Sequence, residues 1–133
     1  MRIVAATDGS RGGIAAVRFA ARLASRLNET ELVILTIGTP GQASVPVSHS
    51  TVLKGVAPKY RFVPAKSVGF VPEAISQEAD RLKADLVVIG SEGRDTLSEW
   101  VVGGVALRLI YVARRPVVVV RPPRRRGKTV ARA

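Results

Sequence analysis

The sequence predicts a doubly wound α/β domain with a parallel sheet, on three observations. Five short apolar runs rich in Val, Ile and Leu are separated by segments with helical apolar spacing. Two of the runs, Glu31 to Gly38 (ELVILTIG) and Asp85 to Gly90 (DLVVIG), are apolar almost throughout, as expected of strands covered on both faces. Strand and helix alternate along the chain, which calls for crossover connections and places helices on both sides of the sheet. The length of 133 residues fits one such domain with an ordinary core.

Arg2 to Thr7 (RIVAAT) is the first strand and stops at the turn signal Asp8-Gly9-Ser10. A helix follows over 11–27, with Ser10 as its N-cap. Val17, Ala20, Ala21, Ala24 and Leu27 make its apolar stripe, and Arg11, Arg18, Arg22 and Arg26 fall mostly on the other side. Asn28-Glu29-Thr30 ends the helix, and Glu31 to Gly38 is the second strand. Residues 39–60 hold Pro40, Gly41, Pro46, Gly55 and Pro58, and admit one short helix around Ser50 to Gly55 or a long loop.

Arg61 to Val68 alternates loosely and reads as a strand at a sheet edge, where the missing N–H of Pro64 is tolerated. Pro72 opens the next helix with Glu73 beside it, and Ile75, Ala79 and Leu82 are its buried stripe. Asp85 to Gly90 is the fourth strand. Ser91 to Trp100 is a polar loop. A helix from Gly104 to Ala113 turns Val105, Leu109 and Val112 inward, and Pro116 to Val120 is the last strand. The domain thus occupies 1–121. Residues 122–133 form a basic tail with nothing to bury, expected to be disordered.

Composition narrows the chemistry. Without cysteine, disulfide scaffolds, cysteine zinc sites and thiol nucleophiles are excluded. The one histidine, His49, sits among loop residues, so a Ser-His-Asp triad or multi-histidine metal site would rest on it alone. Met1 leads directly into a strand with no secretory pattern, and no apolar run reaches a membrane span; a cytoplasmic location is expected. The net charge is +11, and six of the cations lie in residues 121–133, leaving 1–120 at +5. Such a tail attracts nucleic acid or acidic surfaces in a salt-dependent way, but it carries no aromatics for base stacking; a solubilising extension is the favoured reading.

Ligands of an open α/β sheet sit beyond the carboxyl ends of its strands. The segment there with most chemical character reads Gly90-Ser91-Glu92-Gly93, then nine residues, then Gly103-Gly104-Val105. Glycines let backbone N–H groups approach an anion, and Gly103-Gly104 opens a helix whose N-terminus attracts negative charge.

The chain resembles the universal stress protein family. Gly90, Gly93 and Gly103 match the family pattern G-x2-G-x9-G-[ST] in register. Asp8 within Ala-Thr-Asp-Gly-Ser matches the family aspartate after the first strand, and Ile37 matches a second-strand residue whose backbone meets adenine. The GSxGR sequence containing Arg94 and the RRPVVVVR strand match as well, and the similarity spans about residues 2–121. The chain departs from the pattern in one place: the family Ser or Thr is Gly104, which keeps the N–H and lacks the hydroxyl. Glu92, Asp95 and Glu99 also put carboxylates in the loop, opposed mainly by Arg94. These would repel a polyphosphate unless they point away or recruit a metal.

The resemblance implies a Rossmann-like five-stranded sheet of order 3-2-1-4-5. It implies ATP or a related adenine nucleotide, with Mg²⁺, at Asp8, Ile37, Gly90, Gly93, Arg94, Gly103, Gly104 and Val105, in a stress-response or regulatory role. Hydrolysis would be slow at most. It also implies a homodimer paired through the edge strand Pro116 to Val120. The alternatives are a nucleotide-free dimeric scaffold for a protein partner and a nucleic-acid-binding protein driven by the tail.

Overall fold

The computed structural model describes residues 1–8, 11–38, 56–67, 69–91 and 102–122. Its strands are β1 (Arg2–Thr7), β2 (Glu31–Gly38), β3 (Lys59–Pro64), β4 (Leu86–Gly90) and β5 (Val117–Val120). The helices are α1 (Arg11–Arg26), α2 (Val71–Arg81) and α3 (Gly104–Val112). The strands form one sheet of order β3-β2-β1-β4-β5, every pairing parallel. Chain order reverses between β1 and β4, the switch point at which such sheets hold ligands.

Side-chain alternation divides the core into two layers. Ile3, Ala5, Leu32, Ile34 and Val88 point to one face, under α1. Val4, Ala6, Val33, Leu35, Val87 and Ile89 point to the other, with Ile75 and Ala79 of α2 and Ala106 and Leu109 of α3. The buried stripe of α1 is almost all alanine: Ala15, Ala16, Ala20, Ala21 and Ala24 around Val17. Small side chains let this helix lie close on the sheet, which matters for the site below.

Three sequence expectations need correction. Leu27 is not part of the α1 stripe: the helix ends at Arg26, and Leu27 is exposed. The third strand is Lys59–Pro64 rather than 61–68. Lys59–Arg61 pair with Val33–Leu35, and the chain turns after Pro64, which has no N–H to continue the ladder. Ala65–Ser67 form a 3₁₀ turn, with Ser67 Oγ donating to the Pro64 carbonyl at 2.7 Å. The inner face of α3 is Ala106 and Leu109; Val105 is 41% exposed and Val112 only half-buried. Beginning at Gly104 and packing beside α2, the helix turns its smallest apolar residue to the sheet. Ser10, the helix expected near Ser50, the loop 92–101 and the tail 123–133 lie outside the described residues.

Ion pairs cluster at and below the amino ends of the strands. Glu31 accepts from the Arg2 side chain and from Lys59 Nζ at 2.7 Å. Glu78 joins Arg61 and Arg81 at 2.9 and 2.8 Å. Arg115 binds Asp80 at 3.0 Å and the Ala84 carbonyl at 3.1 Å. Hydrogen bonds from Lys59 and then Arg2 hold the Glu31 carboxyl below its usual value of 4.5, and Arg81 followed by Arg61 do the same for Glu78. A lowered folded pKa means the folded state resists protonation, so this stabilisation is complete above the unfolded value and is lost as pH falls through the folded one. Thermal melts should therefore show Tm falling as pH drops below about 4.5. In Glu78→Gln the same pH titration should show a shallower fall.

Candidate functional site

The parallel registers bring four chain exits to one level. Thr7 pairs with Thr36 and Gly90 with Val120. The β1–β4 register, Ala5 with Val88, continues to set Thr7 level with Gly90. The next residue of each strand is then Asp8, Ile37, Ser91 and Arg121, a row across the carboxyl end of the sheet. Asp8 is exposed. Ile37 is half-buried and packs against the core on the α2 side.

The first turn of α1 closes on this row at the switch point. A methyl built on Gly13 would lie 3.1 Å from the Asp8 backbone nitrogen and closer still to Thr7 Oγ1. One built on Gly90 would lie 3.0 Å from Gly12 Cα and closer to the Gly12 carbonyl oxygen. Gly12, Gly13 and Gly90 are therefore one packing unit that seats the start of α1 between the ends of β1 and β4. Its first turn carries no acidic residue, so the helix itself places no negative charge at its positive dipole end.

The start of α3 is tied to the same place. Gly103 N–H donates to the Ser91 carbonyl at 2.6 Å, and Ser91 N–H donates to the Val120 carbonyl at 2.8 Å. These bonds join the ends of β4 and β5 to the residue that precedes α3. The Gly103 N-cap has no side-chain capping bond, which leaves the first-turn N–H groups, from Gly104 to Ala106, without intrahelical acceptors. Above Gly104 the space is open among the described residues, none of which has an atom within 4 Å of a methyl built there. Ser91 is 1% exposed, and its buried Oγ has no hydrogen-bond partner among the described residues.

Of the sequence-predicted residues, Asp8, Ile37, Gly90, Gly103 and Gly104 thus gather at the carboxyl end. Gly90 serves helix packing there, and the Gly103 amide is engaged by Ser91. Val105 follows in the first turn of α3, its side chain exposed. Gly93 and Arg94 lie outside the described residues, as do Glu92, Asp95 and Glu99. Sequence reading missed Gly12, Gly13 and Ser91. Two consecutive glycines at the start of a helix, each costing about 1 kcal/mol relative to alanine, were the available sign that backbone approaches closely there. Chemically, the arrangement offers a carboxylate for hydroxyl donors, amides and two helix N-termini for an anion, and an orphaned hydroxyl. Among the described residues no group of three metal-ligating side chains occurs, and no helix is long and apolar enough to cross a membrane.

Comparison with known proteins gives a consistent picture. The sequence profile of the universal stress protein family matches residues 56–121. A universal stress protein solved in complex with cAMP is 27% identical, with a TM-score of 0.72, the match covering 92% of this chain and 98% of that one. A universal stress protein from Archaeoglobus fulgidus in complex with dAMP is 22% identical, with a TM-score of 0.65 and coverages of 90% and 96%. The universal stress protein UspA from Lactobacillus plantarum is 20% identical, with a TM-score of 0.69 and coverages of 91% and 97%. No curated protein sequence matches the chain.

Proposed function

The chain belongs to the universal stress protein family, and from that membership we propose that its strand carboxyl ends bind an adenine nucleotide, ATP foremost, in a regulatory role within a stress response. The observation that carries this reading is the convergence of Asp8, the starts of α1 and α3, and the buried Ser91 hydroxyl on one switch point. In this reading the Asp8 carboxylate accepts hydrogen bonds from ribose hydroxyls, and the backbone at Ile37 meets the adenine. The phosphates rest on N–H groups of Gly104 and Val105, with Gly93 and Arg94 completing the cradle. Relatives of the same fold solved with cAMP and dAMP support the ligand class.

Mg²⁺ retains several waters and is commonly held through substrate phosphates plus one or two carboxylates. Asp8 is the only carboxylate among the described residues of the row, which suits Mg²⁺ arriving with the nucleotide rather than in a protein cage. Cradling by backbone amides stabilises bound phosphate without activating a water, so hydrolysis is expected to be slow. The expected dimer pairs β5 of two copies. This strand is an edge of the sheet, and its four valines are only half-buried.

Calorimetry and thermal melts with ATP and Mg²⁺ test the reading. At a nucleotide concentration a hundredfold above Kd, stabilisation of about 2.7 kcal/mol is expected, a rise of several degrees in Tm. Absence of heat and of any Tm change at millimolar ATP would favour a second reading, a scaffold for a protein partner. Phe70, Leu107, Ile110 and Tyr111 favour that alternative: they are 73%, 55%, 53% and 88% exposed, the aromatic and aliphatic content of a protein-binding surface.

A further inference from the structure

The charges of this protein are distributed unequally between the two faces of its sheet. On the α2–α3 face acids and bases neutralise one another: Glu73 with Arg108, Glu78 with Arg61 and Arg81, and Asp80 with Arg115. The other face is covered by α1, whose sixteen residues include four arginines and no acid. Arg18, Arg22 and Arg26 are exposed, and none of the three forms an ion pair with a described residue. Arg22 lies over the Phe19 ring, 6.0 Å from its centroid. Asp8 precedes the helix and Glu29 follows it; between them there is no negative charge.

The row is unfavourable for the isolated helix. Like charges at i and i+4 destabilise a helix by a few tenths of a kcal/mol per pair, and Arg18, Arg22 and Arg26 repeat that spacing twice. The position at the helix end favours Arg26 alone, through the macrodipole. The helix nevertheless stays rigid, because its alanine stripe is fixed against β1 and β4. It therefore holds three guanidinium groups over about 12 Å of its axis. One strand of a duplex presents a phosphate about every 3.4 Å of its axis, so a row of this length spans several phosphates. Guanidinium suits phosphate geometry through its fork of donors. Phe19 is half-buried beneath Arg22, and no exposed aromatic lies on α1 to stack an unpaired base. We infer that the outer face of α1 is a docking surface for the phosphate backbone of duplex nucleic acid, bound without sequence readout. The surface is separate from the strand carboxyl ends, and the inference does not depend on the nucleotide reading.

The test is fluorescence anisotropy of a labelled 20-base-pair DNA duplex of mixed sequence, titrated with the full chain at several salt concentrations. Three chains are compared: the full chain, its triple variant Arg18→Gln, Arg22→Gln, Arg26→Gln, and the chain ending at residue 121. All three substituted positions are exposed, and circular dichroism melts establish that the variants are folded. The full chain should bind with affinity falling steeply in salt. The triple variant should bind at least tenfold more weakly at 50 mM salt, with a log–log salt slope shallower by about 2 to 3, since each phosphate contact contributes about 0.9. The chain ending at residue 121 should still bind, and in that background the triple substitution should still weaken binding. Any of three results overturns the inference: no duplex binding at 50 mM salt, equal binding by the triple variant, or complete loss on removing the tail alone. Arginine-dependent sedimentation with anionic phospholipid vesicles, without duplex binding, would likewise overturn it and assign the surface to membranes.

Discussion

Gly90→Ala should be the most damaging single-methyl change in the domain, lowering stability by about 3 kcal/mol and Tm by about 10 °C or more. The added carbon would lie 3.0 Å from Gly12 Cα and closer to its carbonyl oxygen. Both groups are backbone, so no side-chain rotation relieves the clash. Relief requires lifting the first turn of α1 away from β4. That would separate the alanine stripe from the sheet and disturb the end of β1, where Gly13 is pressed on Thr7 and the Asp8 nitrogen. The control is Gly104→Ala, where no described residue lies within 4 Å of the new methyl. Alanine is the better helix former, so this variant should be unchanged or more stable by up to about 1 kcal/mol. Urea denaturation monitored by circular dichroism separates the two, provided m is unchanged. Equal stability of both variants would show that α1 does not sit on Gly90 as closely as described.

The contrast also shows what the sequence could reveal. Strands and helices were most legible where the period is unambiguous: continuous Val-Ile-Leu runs for strands covered on both faces, and Ala and Val at helical spacing for α1. Strand order came from resemblance rather than from periodicity, because apolar pattern does not encode which strands are neighbours. Boundaries failed where two rules competed. At β3 Lys59 and Tyr60 were paired although polar or exposed, because an edge strand needs only one covered face, while Pro64 ended the ladder early. At α3 a sequence apolar at every position but Arg108, GVALRLIYV, left the buried face undetermined. Packing beside α2 then selected Ala106 and Leu109 over Val105. For the site, the glycine pattern pointed to the carboxyl end of the sheet but not to the division of labour. That Gly90 accommodates a helix turn, Gly103 fastens to Ser91 and Gly104 stands in open space depends on distances between segments far apart in the chain.

That division of labour determines how binding should respond to substitution. Asp8→Asn keeps the shape of the side chain and removes its charge, so an acceptor for two hydroxyl donors is weakened. The affinity for ATP should fall by about 1.5–3 kcal/mol, roughly ten- to a hundredfold, the range for a hydrogen bond to a charged group. Circular dichroism melts without nucleotide establish that the variant is folded. A double-mutant cycle fixes the partner: 2′,3′-dideoxy-ATP should bind the unsubstituted chain as weakly as ATP binds Asp8→Asn, and combining both changes should add little further loss. Full additivity would mean that Asp8 acts elsewhere than on the sugar, and an unchanged affinity would leave it a turn residue. On the phosphate side, Gly104→Ser restores a hydroxyl where there is room for one and should tighten binding several-fold, about 1 kcal/mol for one added hydrogen bond. Gly104→Ala has the same helix-forming advantage without the hydroxyl, so a gain common to both would reflect helix order rather than a new contact. Loss at Asp8 with gain at Gly104→Ser alone would orient the ligand, with the sugar at the end of β1 and the phosphates at the start of α3.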